Sequence, residues 1–587
     1  MKPEGTRYWV ETQVKGLSLE NPVVSGADAV HLAEGRILTT VKRGCESPTG
    51  SETSARYQRD RLGTRESHNV SAKKYRGYGL FKPEQGKVIQ MTLWQSDKPI
   101  VAMKSRNGDG AKGLTGMRWG DRDTTSALRG GYRLSTKLSS LTLRAKEDPK
   151  CRFTSLAHLL TLDFLKWCFK ELKKDKAPGV DGVSYKEYEG NLEEHLKDLL
   201  KRLKARRYRP QPVRRVYIPK PNGDKRPLGI PTIEDRIVQM AIKKILEAIF
   251  EPDFLDISFG FRPNRSCHNA LDTLNKMIMT KPINFVVDMD IEKCFDRVNH
   301  NWLMECLRQR IMDKSLLRLI ERFLKMGIME GDTYYERDEG VPQGGVLSPI
   351  LTNIYLHYIL DLWFVRKIKK RLKGYAGMVR YADDFIVCFQ AEREARIFSD
   401  MLKQRLGKFG LGIAKDKSRI IEFGRYVWER AQKTGGRVAT FDFLGFTHYC
   451  DKTRMGKFKL GRKTQRKRQL KWLQMIYAWI KGMRNCVSLR DWWQMLAVKL
   501  AGYYRYYGIA GNMLWLKRVH NLVIRFVYKW INRRSQKKSY NWEEFQRVLK
   551  HNPLPEPKIY HKYPVLKGSI LEEPNDRIGQ VRFCEGH

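Results

Sequence analysis

The stretch RYADDFIVC, Arg380 to Cys388, sets Asp383 and Asp384 side by side between apolar runs that read as short strands. A tight hairpin turn would account for them by itself, because an Asp side chain hydrogen-bonds nearby backbone. Chemistry would require more. Two carboxylates at one point repel each other unless a cation neutralises them, and Mg2+ takes oxygen ligands of this kind. A third carboxylate elsewhere in the chain would decide between the two readings. NFVVDMDIEKCFDRVNH offers one. From Asn284 its residues alternate with the period of a strand, so Asp288 and Asp290 share one face. Beyond Asp290 the spacing of Ile291, Phe295 and Val298 predicts a helix. Asp290 thus stands at the end of a strand, where a helix-capping Asp would look the same.

Two more blocks have the composition of a substrate cradle. YIPKPNGDKRPLGIP, from Tyr217, reads as a hairpin turning at NGD, with Lys220 and Arg226 flanking the turn. EGVPQGGVLSPILTNI, from Glu339, has glycines and prolines that let backbone approach a ligand closely, ahead of a long apolar helix.

The elements that must hold these groups belong to a chain of 587 residues, enough for about three to five domains. Lys and Arg number 111 against 64 Asp and Glu, a net charge of +47. An excess of that size predicts a polyanionic partner, since neutralising phosphates releases condensed counterions. No apolar run is long enough to span a bilayer, and the first residues lack an apolar signal core. The expectation is a soluble, intracellular protein with no membrane partner, in the cytoplasm or nucleoid of a bacterium. The ten cysteines are scattered, without CxxC pairs or zinc spacing. Residues 1–145 are basic, rich in Gly and Ser and weakly periodic, and predict low order or a loose RNA-contacting arm. From 150 to 450 helical and strand patterns alternate. Residues 455–545 turn helical, basic and aromatic, and 546–587 read as a docked tail. Trp492 and Tyr503 are expected in the core of the helical part, because aromatics at helical spacing usually bury.

In order, the blocks IPKPNGDKRPLGIP, FGFRPNRS, VVDMDIEKCFD, VPQGGVLSPILTNI, RYADDF, KDKSRI and FLGF resemble the group II intron reverse transcriptase/maturase family over roughly residues 150 to 545. The resemblance implies an α+β right-hand polymerase fold: fingers, a palm with an antiparallel sheet, and a helical thumb or maturase domain. It implies an RNA-directed DNA polymerase that also binds its parent intron RNA and promotes splicing. Asp290, Asp383 and Asp384 match the family's ligands for two Mg2+ ions, with Asp288 ranked second to Asp290. Lys220 and Arg226 match the triphosphate clamp, Gln343 and Gly344 the border of the incoming dNTP, and Lys417 the lysine that meets pyrophosphate. Phe295 matches the aromatic that excludes a ribose 2′-hydroxyl, although a core role would suit it equally. Cys294 departs from the family, which usually has an aromatic there. Arg462, Lys463, Arg466, Lys467 and Arg468 fall in the thumb, where phosphate contact is implied. The implied partners are intron RNA, an RNA template with a DNA primer, and dNTPs. No Cys/His endonuclease is expected after the thumb, so the primer would come from elsewhere, such as a replication fork. Two other readings stay open: a splicing-only maturase, or a related reverse transcriptase recruited to host defence or repair.

Overall fold

In a computed structural model the described residues are 125–219, 225–414, 418–534 and 539–563, all within one compact unit. Lys220, Lys417 and residues 1–124 and 564–587 lie outside them, with the expectations attached to them. Helices α1 (Thr125–Glu147), α2 (Leu162–Lys170), α3 (Tyr185–Gly190) and α4 (Leu192–Lys204) come first. Strands β1 (Val213–Pro219) and β2 (Lys225–Ile230) follow, then α5 (Ile233–Phe250), α6 (Cys267–Thr280) and β3 (Phe285–Glu292). Next are α7 (His300–Arg308), α8 (Lys314–Leu324), β4 (Ile328–Glu330), β5 (Thr333–Tyr335) and α9 (Ser348–Leu356). The hairpin β6 (Ala376–Tyr381) and β7 (Asp384–Phe389) leads into α10 (Glu392–Lys408), β8 (Gly412–Ile413), β9 (Arg419–Glu422) and α11 (Arg425–Thr434). A meander of β10 (Phe441–Phe443), β11 (Phe446–Lys452) and β12 (Phe458–Thr464) precedes α12 (Arg466–Met483), α13 (Leu489–Tyr507), α14 (Met513–Ile531) and α15 (Trp542–His551).

The described residues form three sheets. The central one runs β6-β7-β3-β8, with β9 also on β3, and every pair in it is antiparallel. A four-stranded sheet, β2-β1-β4-β5, contains the β1–β2 hairpin read from the sequence. The third is the meander. This mixture of helices with largely antiparallel sheets is α+β, as expected.

Alternation in the central strands sorts their side chains. Val286, Asp288 and Asp290 of β3 stand opposite Cys388, Ile386 and Asp384 of β7. Partners in a register share a face. One face of the sheet is therefore apolar at one end and acidic at the other. Its apolar end, with Val286, Ile386 and Cys388, is buried in a core shared with α6 and with α12–α14. The opposite face packs on α10, where the Phe389 and Phe398 rings lie 5.3 Å apart.

Three expectations change here. The helix expected after Asp290 is absent: β3 continues to Glu292, because Ile291 and Glu292 pair with β8. Lys293 then turns left-handed at φ 47, and only a short 3-10 turn, Cys294–Asp296, precedes α7. The helical region begins at Arg466, since β12 runs through Thr464. Part of the amino-terminal region, expected to lack order, forms α1. The carboxy-terminal carbonyls of α1 are satisfied by the buried Arg310, which donates to Ala145 O at 2.9 Å and Asp148 O at 3.0 Å. Trp492 and Tyr503 are buried, as expected. Near the end of the described residues, Ala510 N–H donates to His561 O and Tyr560 N–H to Gly508 O.

Candidate active site

The β6–β7 hairpin closes with Tyr381 opposite Asp384, so its turn is only Ala382 and Asp383. Two-residue hairpin turns need positive φ, which usually calls for glycine. Here Ala382 takes it, at φ 59. Two neighbours hold it there. Gly260 lies so flat against the turn that a Cβ would stand 2.3 Å from the Ala382 nitrogen. Arg380 Nη1 donates to Ala382 O at 2.8 Å.

Arg380 is wholly buried, and so is its partner Asp361. Its Nε and Nη2 donate to the two Asp361 oxygens at 2.7 and 2.5 Å, its Nη1 also to Asn353 Oδ1 at 3.1 Å, and its Nη2 to Ser258 Oγ at 2.7 Å. A guanidinium has five N–H donors, and all five are used. Sequence reasoning passed over this group. The signal was present: Arg380 and Asp361 are lone, opposite charges inside apolar runs, GMVRY and YILDLWF.

The turn delivers Asp383 and Asp384 to the acidic end of the sheet, with Asp384 directly across from Asp290. The electrostatics are those of crowded like charge. Burial, then the Asp290 carboxylate, pushes Asp383 above the usual carboxylate range, against the pull of Arg226 and Arg380. Asp384 is pushed well above it by burial and by Asp383, Asp288 and Asp290, with Arg468 opposing. Asp288 rises to about 6, mainly through burial. It stands opposite Arg419, whose Nε and Nη2 donate to Asp288 Oδ2 at 3.3 Å. Asp288 is therefore engaged by Arg419.

Oxygen donors crowded at one end of the sheet, with Asp383 and Asp384 raised by neighbouring charge as well as by burial, are the donor set that suits a hard divalent cation. Among the described residues no three His, Cys, Asp or Glu groups stand close enough together to hold an ion.

The cradle blocks meet beside the carboxylates. Arg226, half-buried on β2, lies near enough to Asp383 to draw its pKa down. Gly229, on the same strand, donates to Gln343 O at 2.7 Å. Gln343 Nε2 reaches Asp296 Oδ2 at 3.4 Å, and Val341 N–H donates to Phe295 O at 2.7 Å. Gly344 sits at φ +104, where a Cβ would stand 2.8 Å from Gly229 O. The structure thus brings together Asp290, Asp383, Asp384, Arg226, Phe295, Gln343 and Gly344. Phe295 is half-buried and stays outside the buried core.

Residues 218–448, which enclose this constellation, match the family of the reverse transcriptase (RNA-dependent DNA polymerase). The chain is 34% identical over 301 residues to the group II intron-encoded protein LtrA of Lactococcus lactis subsp. cremoris, covering 49% of this chain and 50% of that one. It is 36% identical over 278 residues to protein YkfC of Escherichia coli (strain K12), covering 41% of this chain and 72% of that one. It is 34% identical over 246 residues to an uncharacterized 91 kDa protein in a cob intron of Schizosaccharomyces pombe, covering 41% and 30%. The chain belongs to the group II intron reverse transcriptase/maturase family. It spans about half the length of its lactococcal relative.

Within this family member the basic row assigned to RNA divides. Arg462 does not join it: the side chain is buried in β12, with Nη1 3.2 Å from Asp272 Oδ1 and the guanidinium 5.0 Å from the Tyr563 ring centroid. The row was read as one helix, but a strand ends and a helix begins within it, so alternation turns Arg462 inward. Lys463 is half-buried near the Tyr449 and Trp515 rings. Arg466 and Lys467 are exposed on the first turn of α12. Arg468 faces the site: it lies against Gly445 and acts on Asp384.

Proposed function

We propose that this chain is an RNA-directed DNA polymerase that extends a DNA primer on an RNA template and also binds its parent intron RNA to promote splicing and mobility. The observation that carries the polymerase reading is Asp384 across from Asp290, with Asp383 on the turn between Arg380 and Arg226. Asp290, Asp383 and Asp384 would hold two Mg2+ ions, which supply activation of the attacking 3′-hydroxyl and stabilisation of the leaving pyrophosphate. The remaining work is positioning and charge. Arg226, with Lys220, grips the triphosphate; Arg does so bidentately. Lys417 receives the pyrophosphate charge. Gln343 and Gly344 border the nucleotide, and Phe295 bars a 2′-hydroxyl.

In this reading the β1–β2 sheet is the fingers, the central sheet the palm and α12–α14 the thumb. Their divisions lie near 150, 455 and 545. Lys463, Arg466 and Lys467 contact RNA phosphates. Structured RNA is read through shape, unpaired bases and 2′-hydroxyls, which suits a broad basic surface. Among the described residues no helix is long and apolar enough to cross a membrane.

The test is dNTP incorporation on an RNA template with Mg2+, in wild type and in Asp290→Ala, Asp383→Ala and Asp384→Ala. Each variant should lose about 100- to 1,000-fold or more while keeping its fold. Near-normal extension by Asp383→Ala would sink the assignment. The Asp383→Ala, Asp384→Ala double variant should still bind and splice the intron, since those steps use other surfaces.

A further inference from the structure

A second surface adjoins the catalytic hairpin, and none of the roles above uses it. Residues 257–261 run beside the end of β6: Phe259 N–H donates to Arg380 O at 2.9 Å, and Arg380 N–H to Ile257 O at 2.7 Å. After Gly260, which lies on Ala382, the chain turns left-handed at Phe261, with φ 56. Glycine or asparagine adopts that conformation without strain, but a bulky residue does not. Yet the ring is not using the strain to reach a core, for Phe261 is 46% exposed.

The loop is fastened from beneath. Arg262 is buried and donates through Nη1 to Leu255 O at 2.7 Å and Ser258 O at 2.8 Å. Its Nε and Nη2 both donate to Glu251 Oε1, at 3.0 and 2.8 Å. Strained backbone that its surroundings over-determine collects at ligand clamps. Here the result is a fixed, outward-facing aromatic one residue from the contact with the catalytic turn.

A polar cleft of about 420 Å³ opens beside this loop, lined among others by Asn264, Arg265, Asn269, Thr273 and Lys276. Asp272 also lines it, but its Oδ1 is engaged by Arg462. Arg265 is paired at 2.6 Å with Asp256, whose side chain is 91% exposed, so a phosphate can compete for that guanidinium. Cations, amides and a hydroxyl beside an exposed ring are the chemistry of a nucleic-acid strand: donors for phosphates and a flat surface for a base or sugar. The cleft adjoins the catalytic hairpin through this loop: Phe259, Asn264 and Arg265 line it, and Gly260 lies on Ala382.

We infer that Phe261 and this cleft hold the RNA–DNA hybrid duplex beside the catalytic hairpin, with the ring against a sugar or base and Arg265 and Lys276 against the phosphates of one strand. The inference rests on the polymerase reading and adds a duplex site to it. Phe261→Gly tests it, because glycine relieves the backbone while removing the ring. The expected result is an unfolding midpoint equal to or above wild type, about 10-fold weaker binding of a preformed RNA–DNA hybrid, and shorter products. Phe261→Asn should behave alike, and Phe261→Trp should restore product length. Arg265→Gln with Lys276→Gln should flatten the salt dependence of hybrid binding. Unchanged hybrid affinity and product length in Phe261→Gly, or lower stability in both Phe261→Gly and Phe261→Asn, would overturn the inference. So would a loss confined to intron-RNA binding. Failure of the wild type to extend any primer would instead overturn the polymerase reading, and hybrid affinity would still decide the present one.

Discussion

Among the described residues two arginines are buried in strands, and their surroundings differ. Arg380, in the central sheet, has a partner for each of its five N–H donors, including both oxygens of a carboxylate as buried as itself. Arg462, in the meander, meets one oxygen of the part-exposed Asp272, and among the described residues its Nε and Nη2 have no hydrogen-bond partner. The Tyr563 ring below it supplies attraction without direction. A complete set of partners fixes a guanidinium in position and orientation. The incomplete set keeps a charge inside without fixing it. The complete set surrounds the turn that aims Asp383 and Asp384, the carboxylates proposed to hold the metal ions, where positional error would be most damaging.

Cutting each fork is the sharpest way to break this comparison. Arg380→Ala leaves Asp361 buried and unpaired, so urea unfolding should show a loss of about 3–5 kcal/mol. Arg380→Lys keeps the charge but not the fork, and should recover part of the stability while primer extension stays well below wild type. Arg462→Met keeps the stem and should cost no more than about 1 kcal/mol. Equal losses at the two sites would erase the distinction.

At the substrate itself, Phe295→Ala should raise the ratio of ribonucleotide to deoxyribonucleotide incorporation by about 10-fold or more. An unchanged ratio would return the ring to a packing role. The basic row sharpens the contrast between buried and exposed cations. Neutralising Lys463, Arg466 and Lys467 should lower the salt slope of intron-RNA binding by about 0.7 to 0.9 per lost contact, and adding Arg462→Met should lower it no further.

The smallest effect concerns the carboxylates without metal. Asp384 is raised, so the folded state holds a proton that the unfolded chain releases. Stability therefore falls as pH rises from the ordinary Asp value through the raised one. Asp384→Asn should stabilise the metal-free protein by about 0.5–2 kcal/mol near neutral pH and by nothing in acid. Added Mg2+ should raise the melting temperature of wild type but not of the Asp383→Ala, Asp384→Ala double variant.

Much of the site was legible in the chain. Strand alternation put Asp288 and Asp290 on one face, and two adjacent aspartates between apolar runs predicted a tight hairpin turn at Asp383 and Asp384. The helix after Asp290 was misread because three apolar residues at spacings of four and three fit a helix as well as a strand running into a 3-10 turn. The left-handed Lys293 that separates them leaves no trace in residue type. Arg380 escaped notice because a lone charge in an apolar strand means nothing until its partner is known, and Asp361 is nineteen positions away. Arg462 was grouped with its neighbours by charge, though its position in β12 turns it inward.

The apolar core at the far end of the acidic face has a consequence for how the molecule moves. Val286 and Ile386 of the central sheet share it with Leu473, Trp492, Leu496 and Val519 of the carboxy-terminal helices. Prising those helices from the sheet would wet a continuous apolar surface, at about 25 cal/mol for each Å² exposed. The nucleotide capture and release of the proposed polymerase cycle would therefore hinge elsewhere. The β1–β2 arm, whose Val216, Tyr217 and Ile218 remain exposed, has no such core to wet. Amide exchange should therefore show the central sheet and α12–α14 opening together as one slow cooperative block, with β1–β2 exchanging on its own, faster clock.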